Sequence, residues 1–149
     1  MYLPKPHVFW HLLKENPVST FTDDIYEDYF GIELELSVPH NKVFNFAAII
    51  KPMLDGIISA FHSYQGRQLN EICKRLAASL TASPDYIANL LLDKSFALLG
   101  SRSLLHPFQT NVQWNPVDDK CVVIKLLCTY FENESPLMLN GKLFSVTVK

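Results

Sequence analysis

The side chains best suited to chemistry are acidic, and they fall in two short segments of the chain. Lys51 and Asp55 stand four residues apart, a spacing that puts two side chains on one face of a helix. Asp118 and Asp119 come much later, just before an apolar run. Carboxylates that converge in space can hold the Mg²⁺ ions used in two-metal phosphodiester cleavage. In the alternative interpretation these residues have only structural roles: Asp118 and Asp119 form a tight turn, and Asp55 forms an ion pair with Lys51.

Further acidic residues and one histidine are candidates for the same site. The acids are Asp23, Asp24, Glu27, Asp28, Glu33 and Glu35. His62 lies two helical turns beyond Asp55, so Lys51, Asp55 and His62 form one stripe, which either borders a site or faces solvent. Glu33 and Glu35 equally suit the wet face of an edge strand.

A strand and a helix are expected to carry the first acidic segment. Apolar and polar residues alternate over 32–38, which predicts a half-buried strand with an acidic face, ended by Pro39. Asn45 is then in position to cap a helix whose apolar residues recur at helical spacing as far as Phe61. Pro52 within that run predicts a kink or a restart of the helix.

Two more helices are predicted, from about Arg67 to Leu80 and from Ser83 to Gly100, with Ser83 as the N-cap of the second. A short capped helix is expected after Thr22. Residues 1–20 are predicted to be irregular because three prolines interrupt them.

The C-terminal third has strand patterns that predict two hairpins. One joins Val112–Trp114 to Cys121–Tyr130, and the second of these strands is apolar on both faces, as in the centre of a sheet. The other turns at Asn140-Gly141, a dipeptide typical of type I′ turns. The expected fold is therefore a single α+β domain over residues 1–149. It has an antiparallel or mixed sheet with about three to four α-helices inserted between the first strand and the C-terminal hairpins.

The order of these segments resembles that of the RusA-type Holliday-junction resolvases, which are small dimeric Mg²⁺-dependent endonucleases. In that family a strand leads to Asp-x-Asp-Asn-x-x-Lys-x-x-x-Asp at a helix start, and Asp-Asp-x-x-Val follows later. Lys51 and Asp55 fall on the helical Lys and Asp, and Asp118-Asp119 falls on the Asp-Asp pair. The match covers residues 32–62 and 112–130.

The resemblance implies a nucleic-acid-processing domain, but three positions depart from the family pattern. Asn45 and Ala47 stand where the family has its two leading aspartates, and Ala48 replaces the following Asn. Hard cations prefer anionic oxygen, so the implied relative is catalytically degraded or repurposed. The resemblance gives Lys51, Asp55, Asp118 and Asp119 as catalytic positions, with Mg²⁺ held by Asp118, Asp119 and Asn45. It also implies a nucleic-acid substrate and a homodimer.

Two other functions are also compatible with the sequence. The net charge of −2 supplies no general attraction for phosphates, and the chain is rich in aromatic residues, which suits a protein-interaction or scaffold module without chemistry. A winged helix over residues 67–98 would read DNA only if its second helix carried a positive stripe.

Three cysteines, an absent signal peptide and short apolar runs predict a reduced cytoplasmic protein that does not enter membranes.

Overall fold

A computed structural model describes residues 5–16, 29–39, 45–95, 97–131 and 138–146. Four helices and seven strands are present in these residues. The helices are α1 (Pro6–Glu15), α2 (Phe46–Ala60), α3 (Leu69–Leu80) and α4 (Pro84–Leu92). The strands are β1 (Tyr29–Pro39), β2 (Ser63–Tyr64), β3 (Ser101–Arg102), β4 (Leu105–Phe108), β5 (Asn111–Trp114), β6 (Cys121–Phe131) and β7 (Met138–Val146). The predicted α+β class with a mixed sheet is confirmed.

The main sheet has three strands in the order β6-β1-β7. β6 runs parallel to β1, and β7 runs antiparallel to it. Among the residues that the structure describes, β1 is therefore the central strand, and β6 and β7 are the edges. Two small two-stranded sheets, β2-β3 and β4-β5, complete the strands of the described residues.

The alternating pattern of β1 separates an inner face from an outer face of the main sheet. The inner residues of β1 are fully or nearly fully buried, and they are Phe30, Ile32, Leu34, Leu36 and Val38. They pack against Ile49, Met53 and Ile57 of α2 and against Phe9 of α1. Burying such apolar surface is the main stabilising term of the fold.

A second core lies at the far ends of α1 and α2. Trp10 and Ala60 meet α3, α4 and the β4-β5 hairpin there, and Leu13 packs against both cores. The rings of Trp10 and Trp114 lie 5.5 Å apart. Arg75 holds the β4-β5 hairpin against α3, since its guanidinium donates hydrogen bonds to the backbone carbonyls of Gln109 and Asn111.

Helix starts follow the sequence closely. The Asn45 side chain accepts a hydrogen bond from the Ala48 amide at 3.2 Å, and the Ser83 hydroxyl accepts one from the Tyr86 amide. Both are N-caps, as predicted. α2 passes through Pro52 as one helix and ends at Ala60, because Ser63 and Tyr64 pair with β3. α4 ends at Leu92 rather than at Gly100.

Three predictions about the strands and termini are wrong or untested. The described part of the N-terminal segment is not irregular, because α1 begins at Pro6, a residue favoured in the first turn of a helix. Val112–Trp114 pairs with β4 rather than with β6, and β6 pairs with β1. The expected short helix after Thr22 lies outside the described residues.

The predicted turn at Asn140-Gly141 is also wrong, because both residues lie inside β7. They stand opposite Glu35 and Leu34 of β1 in an unbroken register. A methyl group at Gly141 would lie 2.1 Å from the carbonyl oxygen of Glu33. The glycine therefore allows a close approach of two strand backbones.

No helix among the described residues is long and apolar enough to cross a membrane. The three cysteines are free: Cys73 is buried, and Cys121 and Cys128 are half-buried. Burial raises the pKa of each thiol, which keeps it protonated and consistent with a packing role.

Candidate functional site

Three residues from the two acidic segments meet at the surface, and we call them the Lys51 cluster: Lys51, Asp55 and Asp118. The Lys51 ammonium lies 2.7 Å from Asp55 Oδ1, one turn along α2, and 3.4 Å from Asp118 Oδ2. The hydrogen bond to Asp55 is the main reason that the pKa of Lys51 is raised. The ordered segments thus converge in space, although they are separated by more than sixty positions of sequence.

A buried histidine fixes the backbone next to Asp118. His62 Nε2 accepts a hydrogen bond from the Val117 amide at 3.3 Å, and its Nδ1 lies 3.0 Å from the Gly100 carbonyl oxygen. Because Nε2 accepts, the proton of the neutral ring is on Nδ1, which donates to Gly100. His62 is therefore part of the interior rather than of an exposed stripe with Lys51, and it holds the strand-to-turn segment that carries Asp118.

Burial of His62 lowers its pKa to about 4, so the ring is neutral at physiological pH. A neutral imidazole with both nitrogens bonded to backbone has no free nitrogen for proton transfer. We assign His62 a positioning role for residues 117 and 118.

The other two predicted site residues are not part of the Lys51 cluster. The side-chain oxygen of Asn45 is engaged in capping α2. Asp119 is exposed beside Asp118 in a short 3-10 turn and takes part in neither ion pair of Lys51. Three of the four predicted catalytic residues, Lys51, Asp55 and Asp118, thus come together. The fourth, Asp119, and the predicted metal ligand Asn45 take no part in these ion pairs.

The described residues contain no group of three or more His, Cys, Asp or Glu side chains placed to hold a metal ion. The Lys51 cluster has two carboxylates, and an ammonium lies between them. Mg²⁺ and Lys⁺ compete for the same anionic oxygens, so Lys51 already neutralises this pair. The candidates Asp23, Asp24, Glu27 and Asp28 lie outside the described residues.

The remaining acidic candidates lie on the outer face of the main sheet. Glu33 is flanked by Lys142 at 2.9 Å and by Lys125 at 3.7 Å, one on each neighbouring strand. The hydrogen bond to Lys142 is the main reason that the pKa of Glu33 is lowered. Glu33 is therefore the centre of a charge row across three strands and belongs to the central strand, not to an edge.

A surface that the sequence did not single out lies along β6. Five large apolar side chains of this strand are between 43 and 56% exposed, and we call them the β6 patch: Val122, Val123, Ile124, Leu127 and Tyr130. They lie on both faces of the strand, because alternate residues point to opposite sides. Among the described residues, β6 pairs with β1 on one side and with no strand on the other.

The sequence signal for this surface was the run Cys-Val-Val-Ile-Lys-Leu-Leu-Cys, apolar on both faces. It predicted a central strand, and β6 is an edge strand in the part of the chain that the structure describes. A strand patterned for the centre of a sheet but placed at its edge is the signature of an incomplete sheet.

Comparison with protein-family models, with curated proteins and with solved structures finds no match to this chain. The Lys51 cluster and the β6 patch are the two candidate sites for its function.

Proposed function

We propose that this domain is a protein-interaction module that acts by strand pairing, in which an extended polypeptide segment adds to the free side of β6. The observation that carries the proposal is the β6 patch, which exposes five apolar side chains along one edge strand. Strand addition gains affinity from backbone hydrogen bonds and specificity from alternate side chains. β6 offers both, since the backbone groups on its free side are unpaired among the described strands and its exposed side chains flank that edge on both faces of the sheet.

The absence of edge protection within β6 supports this proposal. Natural edge strands are commonly guarded by charges, prolines or short length. β6 spans eleven residues and contains no proline, and Lys125 is its single charged residue. An unguarded apolar edge of this kind favours an interaction site, because soluble monomers rarely expose contiguous apolar patches larger than a few hundred Å².

The proposal is tested by peptide binding to the folded domain. A display library of ten-residue peptides is selected on the wild type, and the dissociation constants of the selected peptides are measured on Leu127→Lys. We expect peptides with alternating apolar residues whose affinity falls at least about tenfold, roughly 1.4 kcal/mol, because a charge is forced into the strand interface. Leu92→Lys makes the same change at an exposed leucine of α4 and should leave binding intact.

Two results would contradict the proposal. One is the absence of any selected peptide whose binding depends on Leu127. The other is equal loss of affinity in Leu127→Lys and Leu92→Lys, which would indicate a general effect of charge rather than docking on β6.

A second candidate function rests on a separate observation, the approach of Asp118 to Lys51 and Asp55. This convergence is what a degraded RusA-like nucleic-acid-processing site requires of its two segments. The side chains offer a carboxylate pair for one cation once Lys51 moves aside.

Calorimetric titration with Mg²⁺ and Mn²⁺ distinguishes the two candidates. The interaction module predicts no binding at micromolar concentrations in the wild type. Micromolar binding that is abolished in Asp118→Asn/Asp119→Asn would instead favour the second candidate, and cleavage of branched DNA would then be the direct assay.

The winged-helix alternative lacks the charge that it needs. The charged side chains of residues 84–95 are Asp85, Asp93 and Lys94, two acids and one base. Such a surface repels phosphates more than it attracts them. We do not propose DNA reading by α4.

A further inference from the structure

We infer that the segment that covers β6 is the β6 strand of a second copy of this chain, paired antiparallel about a two-fold axis at Leu127. The inference rests on the proposed function and deepens it by naming the partner. The result is one continuous sheet of six strands, in which β1 and β7 of each copy flank the central β6 pair. Six strands is the ordinary size of a sheet, whereas three is small.

The register of β6 fixes where the two-fold axis lies. Val123 to Phe131 pair with Gly31 to Pro39 without interruption, and the irregularity lies before them, at Val122. Leu127 is the middle residue of this regular run of nine. An antiparallel copy centred on Leu127 therefore uses every residue of the run, and any other centre leaves part of it unpaired.

This register also places the exposed side chains of the β6 patch against one another. On the inner face, Ile124 of one copy lies opposite Tyr130 of the other, and these are 50% and 53% exposed. On the outer face, Leu127, the most exposed apolar residue of β6, meets its own counterpart. Directly opposed apolar and aromatic pairs are the stabilising unit of an antiparallel sheet.

Charge selects the same register. Lys125 lies opposite Thr129, so the two Lys125 residues are offset by four positions, about 13 Å along the strands. That separation exceeds the Debye length of about 8 Å in physiological salt, and their repulsion is screened. A parallel copy in register, or an antiparallel copy centred on Lys125, would instead place the two ammonium groups about 5 Å apart.

The buried area is sufficient for a reversible dimer. Half the surface of five large side chains is roughly 400–500 Å² in each copy, which gives roughly 800–1,000 Å² for both copies. This lies at the lower limit for a specific interface, so we expect a dissociation constant in roughly the micromolar range.

Sedimentation equilibrium from roughly 1 to 200 µM measures the association directly. The wild type is expected to shift from the 17.0 kDa monomer to twice that mass as concentration rises. Leu127→Lys places two ammonium groups at the two-fold axis and should remain monomeric, whereas Leu92→Lys should dimerise like the wild type. Circular dichroism confirms that each variant is folded.

Cysteine cross-linking tests the register without relying on a destabilising change. In a Cys121→Ser/Cys128→Ser background, Leu127→Cys brings two thiols to opposing positions, where a disulfide can form. Lys125→Cys places the thiols about 13 Å apart, beyond the reach of a disulfide. We expect rapid cross-linking in the first variant and at least about tenfold slower cross-linking in the second.

A wild type that stays monomeric at every concentration would overturn the inference, as would a dimer that Leu127→Lys leaves unchanged. Equal cross-linking of the two cysteine variants would overturn the register. If peptides still bind β6 in a Leu127-dependent way while the wild type is monomeric, the second copy is excluded and the strand-pairing function stands. If the wild type neither dimerises nor binds peptides in a Leu127-dependent way, both the dimer and the strand-pairing function are excluded.

Discussion

Gly56→Ala is expected to lower the free energy of unfolding by about 2 kcal/mol, although alanine is the better helix former. Gly56 is buried on α2, where an added methyl group would lie 2.3 Å from the Pro6 carbonyl oxygen and 2.9 Å from Phe9 Cβ. The oxygen belongs to the backbone of α1 and cannot rotate away, so α1 must move off α2. The overpacking cost of about 1–3 kcal/mol, occasionally more, exceeds the gain of up to about 1 kcal/mol in helix propensity.

Urea denaturation of Gly56→Ala and wild type measures this difference, with a fall in melting temperature of roughly 4–8 °C as the second readout. Asn89→Ala, an exposed helical position on α4, serves as the control and should change stability by less than about 0.5 kcal/mol. A Gly56→Ala protein at least as stable as the wild type would show that α1 does not pack this closely on α2.

His62→Phe is expected to destabilise the protein by roughly 2 kcal/mol at pH 7. The phenyl ring fills a similar volume, but it leaves the Val117 amide without the acceptor that His62 supplies. The Gly100 carbonyl loses one of its two donors and keeps the other, the Ser63 amide. An unsatisfied buried backbone group costs about 1–3 kcal/mol. Loss of the hydrogen bond to Val117 is also expected to displace the next residue, Asp118, from its position beside Lys51.

The difference between His62→Phe and wild type should shrink as the pH falls. The pKa of His62 is lowered to about 4 by burial, while the unfolded chain has an ordinary value of 6.5. Between these values the unfolded wild type binds more protons than the folded wild type, so wild-type stability decreases as the pH drops from 6.5 towards 4. The full loss is about 3 kcal/mol, and the phenyl ring of the variant has no proton to gain.

Denaturation at several pH values between about 4 and 7 checks this linkage. The comparison of the two proteins removes the contribution of other groups that titrate in the same range, such as His7, whose pKa is also lowered by burial. His106→Phe, at an exposed histidine of β4, is the control for loss of an imidazole. A difference between His62→Phe and wild type that does not vary with pH would contradict the buried neutral state of His62.

Local features of the fold were predictable because they depend on neighbouring residues. Asn45 and Ser83 were predicted as helix caps from their side-chain chemistry alone, and both accept the expected amide hydrogen bond. α3 ends at Leu80, as its pattern indicated. The alternation in 32–38 likewise predicted the buried face of β1.

Strand partners were not predictable from local patterns. The Asn140-Gly141 dipeptide favours a turn on its own, but pairing with β1 over nine positions outweighs that preference. Pro6 was interpreted as a break, although proline is compatible with the first turn of a helix. The parallel partner of β6 lies about ninety residues earlier in the chain, where no short-range signal reaches it.

For the candidate site, the ordered acidic segments did meet, through Lys51 and Asp118. The role of His62 was not visible in the sequence, because a buried histidine that bonds to backbone looks the same as a ligand or an exposed residue when only residue types are known. The β6 patch was visible as an apolar run, but its exposure depends on its place in the sheet.

The central claim is that the outer side of β6 is a docking edge, and amide hydrogen exchange along Val123–Phe131 tests it most directly. In an uncovered edge strand, alternate amides bond to β1 and exchange slowly, while those between them face water and exchange fast. We expect the fast set to slow at least about tenfold when the protein concentration is raised above the expected micromolar dissociation constant or a selected peptide is added. In Leu127→Lys the alternation should persist at every concentration. Fast exchange of the outer amides under all these conditions would contradict the claim.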